Sequence, residues 1–432
     1  MQFEGKKILI LAGAGTHVKV VKAAKELGLY TIVTDYLKNS PAKKIADESW
    51  MYSITDVDEI VTKCKEVGID GVLNFCIDPA QKPYYEICTR LGLPCYATKK
   101  QIDVLTDKIR FKEYCRAHNV DVIPDYSEDD ILGDCVEYPI FIKPTDSRGS
   151  RGQCVCYDKE HALIAVEEAK AESSDGRFLC EKYLGHNQDL ATAWFVVDGE
   201  PYLVKLGDRH LGRKEDNLDK QVMCTMQPSE YTSLFENNVY SRVKQMIKDL
   251  GVKFGPVFMQ GFADGNTIRF YDPAIRMPGG DYDLILKQAT GFDTVKSAVH
   301  FAMTGDCKTV FGNPENCYKM NGGTGFMISV SVRPGKIFNE VGLDEIAREP
   351  NIVYVREIIP AGSVIPNSGD IKQRVAAIGV YVSDKDQIQP MIDMIYSKYH
   401  VYDENGEDMI ISRYTYHSKN SKSKGTNHGQ QN

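Results

Sequence analysis

Tyr138-Pro139-Ile140-Phe141-Ile142-Lys143-Pro144-Thr145-Asp146-Ser147-Arg148-Gly149-Ser150-Arg151-Gly152-Gln153-Cys154-Val155-Cys156-Tyr157 is the stretch on which the reading of this chain turns. Tyr138 to Lys143 reads as a strand and Gln153 to Tyr157 as a second, joined by a glycine-rich turn. Two strands joined by small residues make a flexible flap whose backbone N–H groups can wrap phosphates, and Arg148 and Arg151 add positive charge. No Gly-Lys-Ser/Thr follows, so the turn is not a Walker loop. By itself it reads equally as an ordinary hairpin with surface arginines. Lys143 closes an apolar strand ahead of Pro144. A buried ammonium without a partner is costly, so an acid or an anionic ligand is implied, unless the side chain escapes to water at the strand end.

Toward the N-terminus the pattern changes to alternating strands and helices. Ile8 to Leu11, Tyr30 to Thr34 and Gly71 to Phe75 read as strands, with Leu93 to Tyr96 as a final short one. His17 to Leu27, Asp56 to Val67 and Pro79 to Leu91 read as the helices between them. This βα alternation signals a mostly parallel, doubly wound sheet. Gly13-Ala14-Gly15 follows the first strand and Asp35 the second, a dinucleotide fingerprint whose third glycine is missing because position 18 is Val. Thr106 to Ala117 reads as a helix with Thr106 as its N-cap.

Toward the C-terminus, Phe178 to Glu181 reads as a strand running into Lys182-Tyr183-Leu184-Gly185, an open segment able to present backbone groups to a purine edge. Residues 191–206 read as a hairpin about Asp198-Gly199, and Tyr231 to Leu250 as one helix. Gln260 and Asp272 lie 12 residues apart across a turn at Asp264-Gly265-Asn266, a spacing that places two oxygen donors on adjacent strands. Arg276, able to hold a nearby anion, follows them, then Asp281 and Asp283. Strands are expected around 326–332, 353–359 and 375–382, and a helix near 387–399.

The composition sets outer bounds. The 432 residues suggest two to four units at ~100–200 residues each. The net charge of −8 argues against a duplex nucleic-acid binder, whose affinity rests on a basic excess, but leaves room for a local cluster of cations around a small anion. No apolar run reaches the ~18–20 residues of a membrane span, and the apolar run at Ile8 is too short for a signal-peptide core. The twelve cysteines are scattered without a zinc or redox spacing, which fits free thiols in a cytoplasmic protein. The tail after His417 holds no apolar residue and is expected to be disordered.

In their order and spacing these motifs resemble the ATP-grasp superfamily, which includes biotin carboxylase, D-alanine–D-alanine ligase, carbamoyl-phosphate synthase and the L-amino acid ligases. The resemblance spans roughly residues 6–400. It implies an α/β and α+β architecture: an N-terminal Rossmann-like parallel sheet (1–105), an ATP-grasp domain (106–305) with a small lid at about 130–190, and a mixed-sheet C-terminal domain (306–415) that completes the cleft, with the tail at 416–432. Lys108 resembles the family's first phosphate-contacting lysine and Lys143 its second. Ser147, Arg148, Gly149, Ser150, Arg151 and Gly152 resemble the loop that covers the phosphates. Glu181, Lys182, Tyr183 and Leu184 resemble the adenine hinge, and Asp189 the acid that reaches the ribose. Gln260 and Asp272 stand where members usually carry two glutamates for magnesium, Ala274 where they carry asparagine, and Arg276 where they carry arginine.

That resemblance implies ATP and Mg2+ as cofactors and an ADP-forming carboxylate–amine ligase working through an acyl-phosphate. Lys143 and Arg276 would act on the transferring phosphoryl group. Gly15, Arg333 and Arg374 are the expected contacts to the acid and amine substrates. Nucleic acid and membrane are not expected partners, and family members are often homodimers. The replacement of a carboxylate by Gln260 weakens the expected metal site, where Asp281 or Asp283 would compensate, and keeps a second reading open, an ATP binder without turnover. A nicotinamide oxidoreductase built on Gly13-Ala14-Gly15 is the third.

Overall fold

The computed structural model describes residues 2–145 and 152–416. The first strand, β1 (Lys7–Leu11), is Lys-Ile-Leu-Ile-Leu with its last four residues buried. It lies between β2 (Tyr30–Thr34) and β4 (Gly71–Leu73), and β3 (Glu48–Trp50) adds outside β2; all four strands are parallel. A parallel sheet needs cover on both faces, and α1 (Val18–Glu26), α2 (Val57–Val67) and α3 (Gln81–Leu91) present buried apolar stripes. The turn after β1 is tight. Gly13 donates its N–H to Asp35 Oδ2 at 2.8 Å, and a Cβ there would stand 2.6 Å from Ser40 Cβ, so only glycine fits. The expected strand at Leu93–Tyr96 does not form. Pro94 offers no ladder donor, and Tyr96 turns inward, its hydroxyl donating to the Asn74 carbonyl at 2.7 Å.

An unexpected helix, α4 (Lys99–Thr106), ends at Thr106, and the helix expected over Thr106–Ala117 begins two residues later as α5 (Lys108–Ala117). Asp107 is extended between them, and its carboxylate accepts from the N–H groups of Ile109 and Arg110 at 3.0 and 3.1 Å. It is Asp107, not Thr106, that caps α5; the Thr106 hydroxyl donates back to the Ile102 carbonyl. Next comes a four-stranded antiparallel sheet made of β5 (Asp125–Tyr126), β6 (Ile140–Pro144), β7 (Cys154–Cys156) and β8 (Phe178–Lys182), in the order β5-β8-β6-β7. The helices α6 (Glu128–Leu132) and α7 (Lys159–Glu172) cover one face, with Ile131, Ile140, Ile142, Ala165 and Val166 forming its core.

A second antiparallel array follows: β9 (Asp189–Val197), β10 (Glu200–Leu211), β11 (Val222–Gln227), β12 (Gly255–Asp264) and β13 (Thr267–Ala274). Here β12 lies between β9 and β13, and β9 between β12 and β10. The helix expected over Tyr231–Leu250 breaks at Val239 into Thr232–Asn238 and Tyr240–Asp249, where the Asn238 amide donates to the Asn266 carbonyl of the β12–β13 turn.

By its contacts the chain divides into two compact units, Met1–Arg209 with Met226–Asn321, and His210–Thr225 with Gly322–Asn432. The second unit contains antiparallel strands Thr324–Val332, Arg374–Val382 and Ile352–Glu357, and a helix Ile388–Lys398 that buries Ile388, Ile392 and Ile395. None of the twelve cysteines is disulfide-bonded. Among the described residues no helix is long and apolar enough to cross a membrane.

Candidate active site

Three lysines and one glutamate make the first cluster. Lys143 on β6 donates to Glu181 Oε2 on β8 at 2.6 Å, and Lys112 on α5 donates to Glu181 Oε1 at 2.6 Å. All three are buried. Burial pushes the Glu181 carboxyl up, but the two ammonium groups outweigh it and hold it down to about 2. Burial also lowers the Lys143 ammonium; Glu181 opposes this and the charge of Lys108 adds to it. Lys108, at the start of α5, is a quarter exposed, with its Nζ 3.5 Å from Asp272 Oδ1. Lys143 and Asp272 thus belong to one neighbourhood, and the Lys143 Nζ lies 5.8 Å from the Tyr271 ring centroid. Lys112 escaped the sequence reading, although it stands one helical turn after Lys108 and shares its face.

The second cluster stands on β9, β10, β12 and β13. Gln260 pairs directly with Asp272 and, on its other side, with Ala191. The register slips immediately after Gln260, so Tyr271 is the extra residue of a bulge. Such a bulge re-aims a side chain: the Tyr271 hydroxyl donates to Gln260 Oε1 at 3.0 Å and to Asp189 Oδ1 at 3.3 Å. Arg209 Nη1 donates to Asp189 Oδ2 at 2.7 Å and to Tyr271 Oη at 3.1 Å. Burial raises the Asp189 carboxyl, and Arg209 opposes that rise. Tyr271 and Arg209 were not legible as site residues; a bulge leaves no mark in hydrophobic periodicity.

Arg276 follows β13. Its Nε and Nη2 grip Asp78 bidentately, both at 2.6 Å, and Nη1 donates to the Met277 carbonyl at 2.8 Å. Asp281 and Asp283 are not gathered at the Gln260/Asp272 pair. Both are ion-paired to Lys19 on α1, Asp281 at 3.0 Å. Near Gly15 the turn holds His17, which burial and the charge of Lys19 push down to about 4. In the hinge segment the Lys182 N–H donates to the Pro124 carbonyl and the Tyr183 N–H to the Pro139 carbonyl, while Lys182 Nζ pairs with Glu137 at 2.7 Å and Leu184 is buried.

Of the turn expected to cover the phosphates, Ser147, Arg148, Gly149, Ser150 and Arg151 lie outside the described residues. Gly152 has φ +65°, and a Cβ there would lie 2.9 Å from Pro144 Cγ, so this position requires glycine. Within the second unit Arg333 pairs with Asp403 at 2.5 Å, and Arg374 Nη2 donates to the Val222 carbonyl at 3.3 Å.

A magnesium ion suits Gln260 and Asp272 only under one condition. The pair supplies one carboxylate and one amide oxygen, and among the described residues no group of three or more His, Cys, Asp or Glu could hold a metal. That donor set fits an ion that completes its shell with phosphate oxygens and water, the usual habit of Mg2+ at nucleotides.

A parallel sheet, a small antiparallel lid-like sheet bearing a lysine–glutamate bridge, and an antiparallel sheet bearing paired oxygen donors define a nucleotide-grasping fold. Family comparisons agree with that class. Residues 8–81 match the PylC-like, N-terminal domain, and residues 107–251 match the carbamoyl-phosphate synthase L chain, ATP binding domain. Over residues 107–251 the chain carries an ATP-binding domain of the ATP-grasp kind. It is 23% identical over 276 residues to a formate-dependent phosphoribosylglycinamide formyltransferase of Prochlorococcus marinus, covering 61% of this chain and 68% of that one. Among solved structures it superposes on a phosphoribosylglycinamide synthetase from Anaerococcus prevotii with TM-score 0.73 at 18% identity, covering 92% of this chain and 99% of that one. On the biotin carboxylase domain of Hydrogenobacter thermophilus 2-oxoglutarate carboxylase, in complex with MgADP, ADP and bicarbonate, the TM-score is 0.74 at 20% identity, covering 92% and 90%.

Proposed function

We propose that this protein is an ATP-dependent, ADP-forming carboxylate–amine ligase acting on small molecules. The observation that carries the reading is the buried Lys112–Glu181–Lys143 bridge, which keeps a charged lysine in a dry place beside Lys108 and the Gln260/Asp272 pair. A cation there has value when an anion arrives. Lys108 and Lys143 take the phosphate oxygens of ATP. Hinge residues Glu181–Leu184 take the adenine, and Asp189 the ribose. Gln260 and Asp272 would hold Mg2+, which would neutralise charge on the phosphates. A carboxylate oxygen of the acid attacks the γ-phosphorus, the bond to the β-phosphate oxygen breaks, and ADP leaves. The amine nitrogen then attacks the acyl carbon, phosphate leaves, and the nitrogen gives up a proton to form the amide. The chain contributes position and charge rather than a covalent step. Arg276 stabilises the transferring group once it exchanges Asp78 for phosphate oxygens. The Gly15 turn contacts the acid substrate. Twelve cysteines without a disulfide fit the reducing cytoplasm.

One observation favours a second reading, nucleotide binding without turnover. Gln260 is neutral and its oxygen is engaged by Tyr271, so only Asp272 brings negative charge to the metal. Incubation with ATP, Mg2+ and the pooled amino acids, read by mass spectrometry, separates the two. ADP, phosphate and a new amide mass are expected; bound ATP without ADP would replace the ligase reading by the second.

A further inference from the structure

Lys205 takes no part in either cluster, yet the fold turns it toward them. The β9–β10 register slips between Leu203 and Lys205, and beyond the slip Lys205 pairs with Ala193. Ala193 pairs in turn with Phe258, and Phe258 with Ala274. Directly paired residues share a sheet face. Lys205 therefore stands on the face that carries the Gln260/Asp272 pair, one row along, since Gly207 pairs with Ala191 and Ala191 with Gln260. The positions between Lys205 and Gln260 are Ala193, Gly207 and Ala191, a floor of small residues, with the Phe258 side chain next in the row of Lys205 and Ala274 beyond it.

The lysine is 5% exposed, and among the described residues its ammonium makes no ion pair or hydrogen bond. The ammonium stands over the Tyr282 ring, with its centroid 4.4 Å from Nζ. The other buried lysines of these clusters are each matched: Lys19 by Asp281 at 3.0 Å, Lys112 and Lys143 by Glu181 at 2.6 Å. Asp283 does act on Lys205 at a distance, but its carboxylate is already held by Lys19. Burial and the Arg209 charge push the Lys205 ammonium down to about 7, as befits a cation without a counterion.

We propose that Lys205 anchors an anion subsite on this floor, and that its occupant is the carboxylate of the acid to be phosphorylated. The proposal rests on the ligase reading and adds the residue that recognises the acid. Strands are about 5 Å apart, so Gln260 lies two strands away, a gap that a carboxylate and the phosphoryl group it receives can span.

The test uses acetate as the carboxylate probe, with phosphate contacts filled by a non-hydrolysable MgATP analogue, and chloride as the ionic control. Acetate, not chloride, should raise the melting temperature of the wild-type complex by mass action. In Lys205→Met the acetate affinity should fall about tenfold or more, as for loss of a charged hydrogen bond, with the analogue's affinity unchanged and the unliganded protein at least as stable. Lys205→Arg, which keeps the charge, should keep a response to acetate. Equal acetate responses in wild type and Lys205→Met, no wild-type response, or a Lys205→Met protein that unfolds would each overturn the proposal and leave the lysine a packing residue. Failure of wild type to bind the analogue at all would instead sink the ligase reading beneath it.

Discussion

Glu181 is a single carboxylate held between two buried lysines, and its substitution has a defined sign. Removing it leaves Lys112 and Lys143 as like charges without their shared counterion. Breaking a buried ion pair from one side costs about 3–5 kcal/mol, so Glu181→Gln should lower the urea midpoint by a corresponding amount. Lys143→Ala should cost less, because Lys112 remains on Glu181. The acid side follows from linkage. The folded carboxyl, at about 2, lies below its ordinary 4.5, so its stabilising contribution is complete above pH 4.5 and is lost as pH falls toward 2. Glu181→Gln should lose that part of the acid dependence, and an unchanged acid profile would show that the bridge contributes nothing. At the paired donors, Asp272→Asn removes the only carboxylate and should raise the magnesium concentration needed for half-maximal ADP release. Gln260→Glu should lower it, provided the Tyr271 hydroxyl accommodates a carboxylate. If neither moves the magnesium dependence, the cation is held elsewhere.

Single residues and the elements that carry them were unequally legible. The β-rich segments announced themselves through apolar alternation, and the strands around Lys143, Gln260 and Asp272 fell close to their expected places. The spacing of Gln260 and Asp272 placed them on adjacent strands, but the register set by the turn would put Gln260 opposite Tyr271, and only the bulge brings it opposite Asp272. What periodicity missed were local interruptions. Asp107 stops one helix and caps the next with its own side chain, which a run of helix formers conceals. The bulge at Tyr271 and the register slip before Lys205 reverse which face a side chain takes, and nothing in the alternation of residue types marks either one. The dinucleotide-like Gly13 proved to be a packing requirement against Ser40 and a donor to Asp35. One element of the second unit carries its own prediction. Glu340, on the strand Asn339–Val341, accepts from the Tyr399 hydroxyl at 2.8 Å, and burial together with Glu357 pushes its carboxyl up to about 7. A folded value above the ordinary 4.5 means the folded form holds the proton longer, so stability should fall as pH rises from about 4.5 to 7. Glu340→Gln should flatten that slope in urea midpoints taken across the range; an identical slope in the variant would remove Glu340 as its source.

For the whole molecule, an excess of acidic residues coexists with a local gathering of Lys108, Lys112, Lys143 and Arg209. The net charge of −8 disfavours polyanions, and the gathered cations favour one small polyanion in one place. The order of the sheets, parallel then small antiparallel then large antiparallel, brings residues from positions as far apart as 108 and 272 within ion-pair distance. Sequence order alone could pair motifs with a family pattern, but not show that Arg276 rests on Asp78 or that Lys19 occupies Asp281 and Asp283. The central claim is that this clamp is built for a triphosphate. Calorimetric titration of a non-hydrolysable MgATP analogue into wild type and Lys143→Ala tests it most directly. A single site that weakens by about tenfold or more in the variant, a loss of ~1.4 kcal/mol, is the predicted result; no binding to wild type, or equal affinity in both proteins, would contradict it.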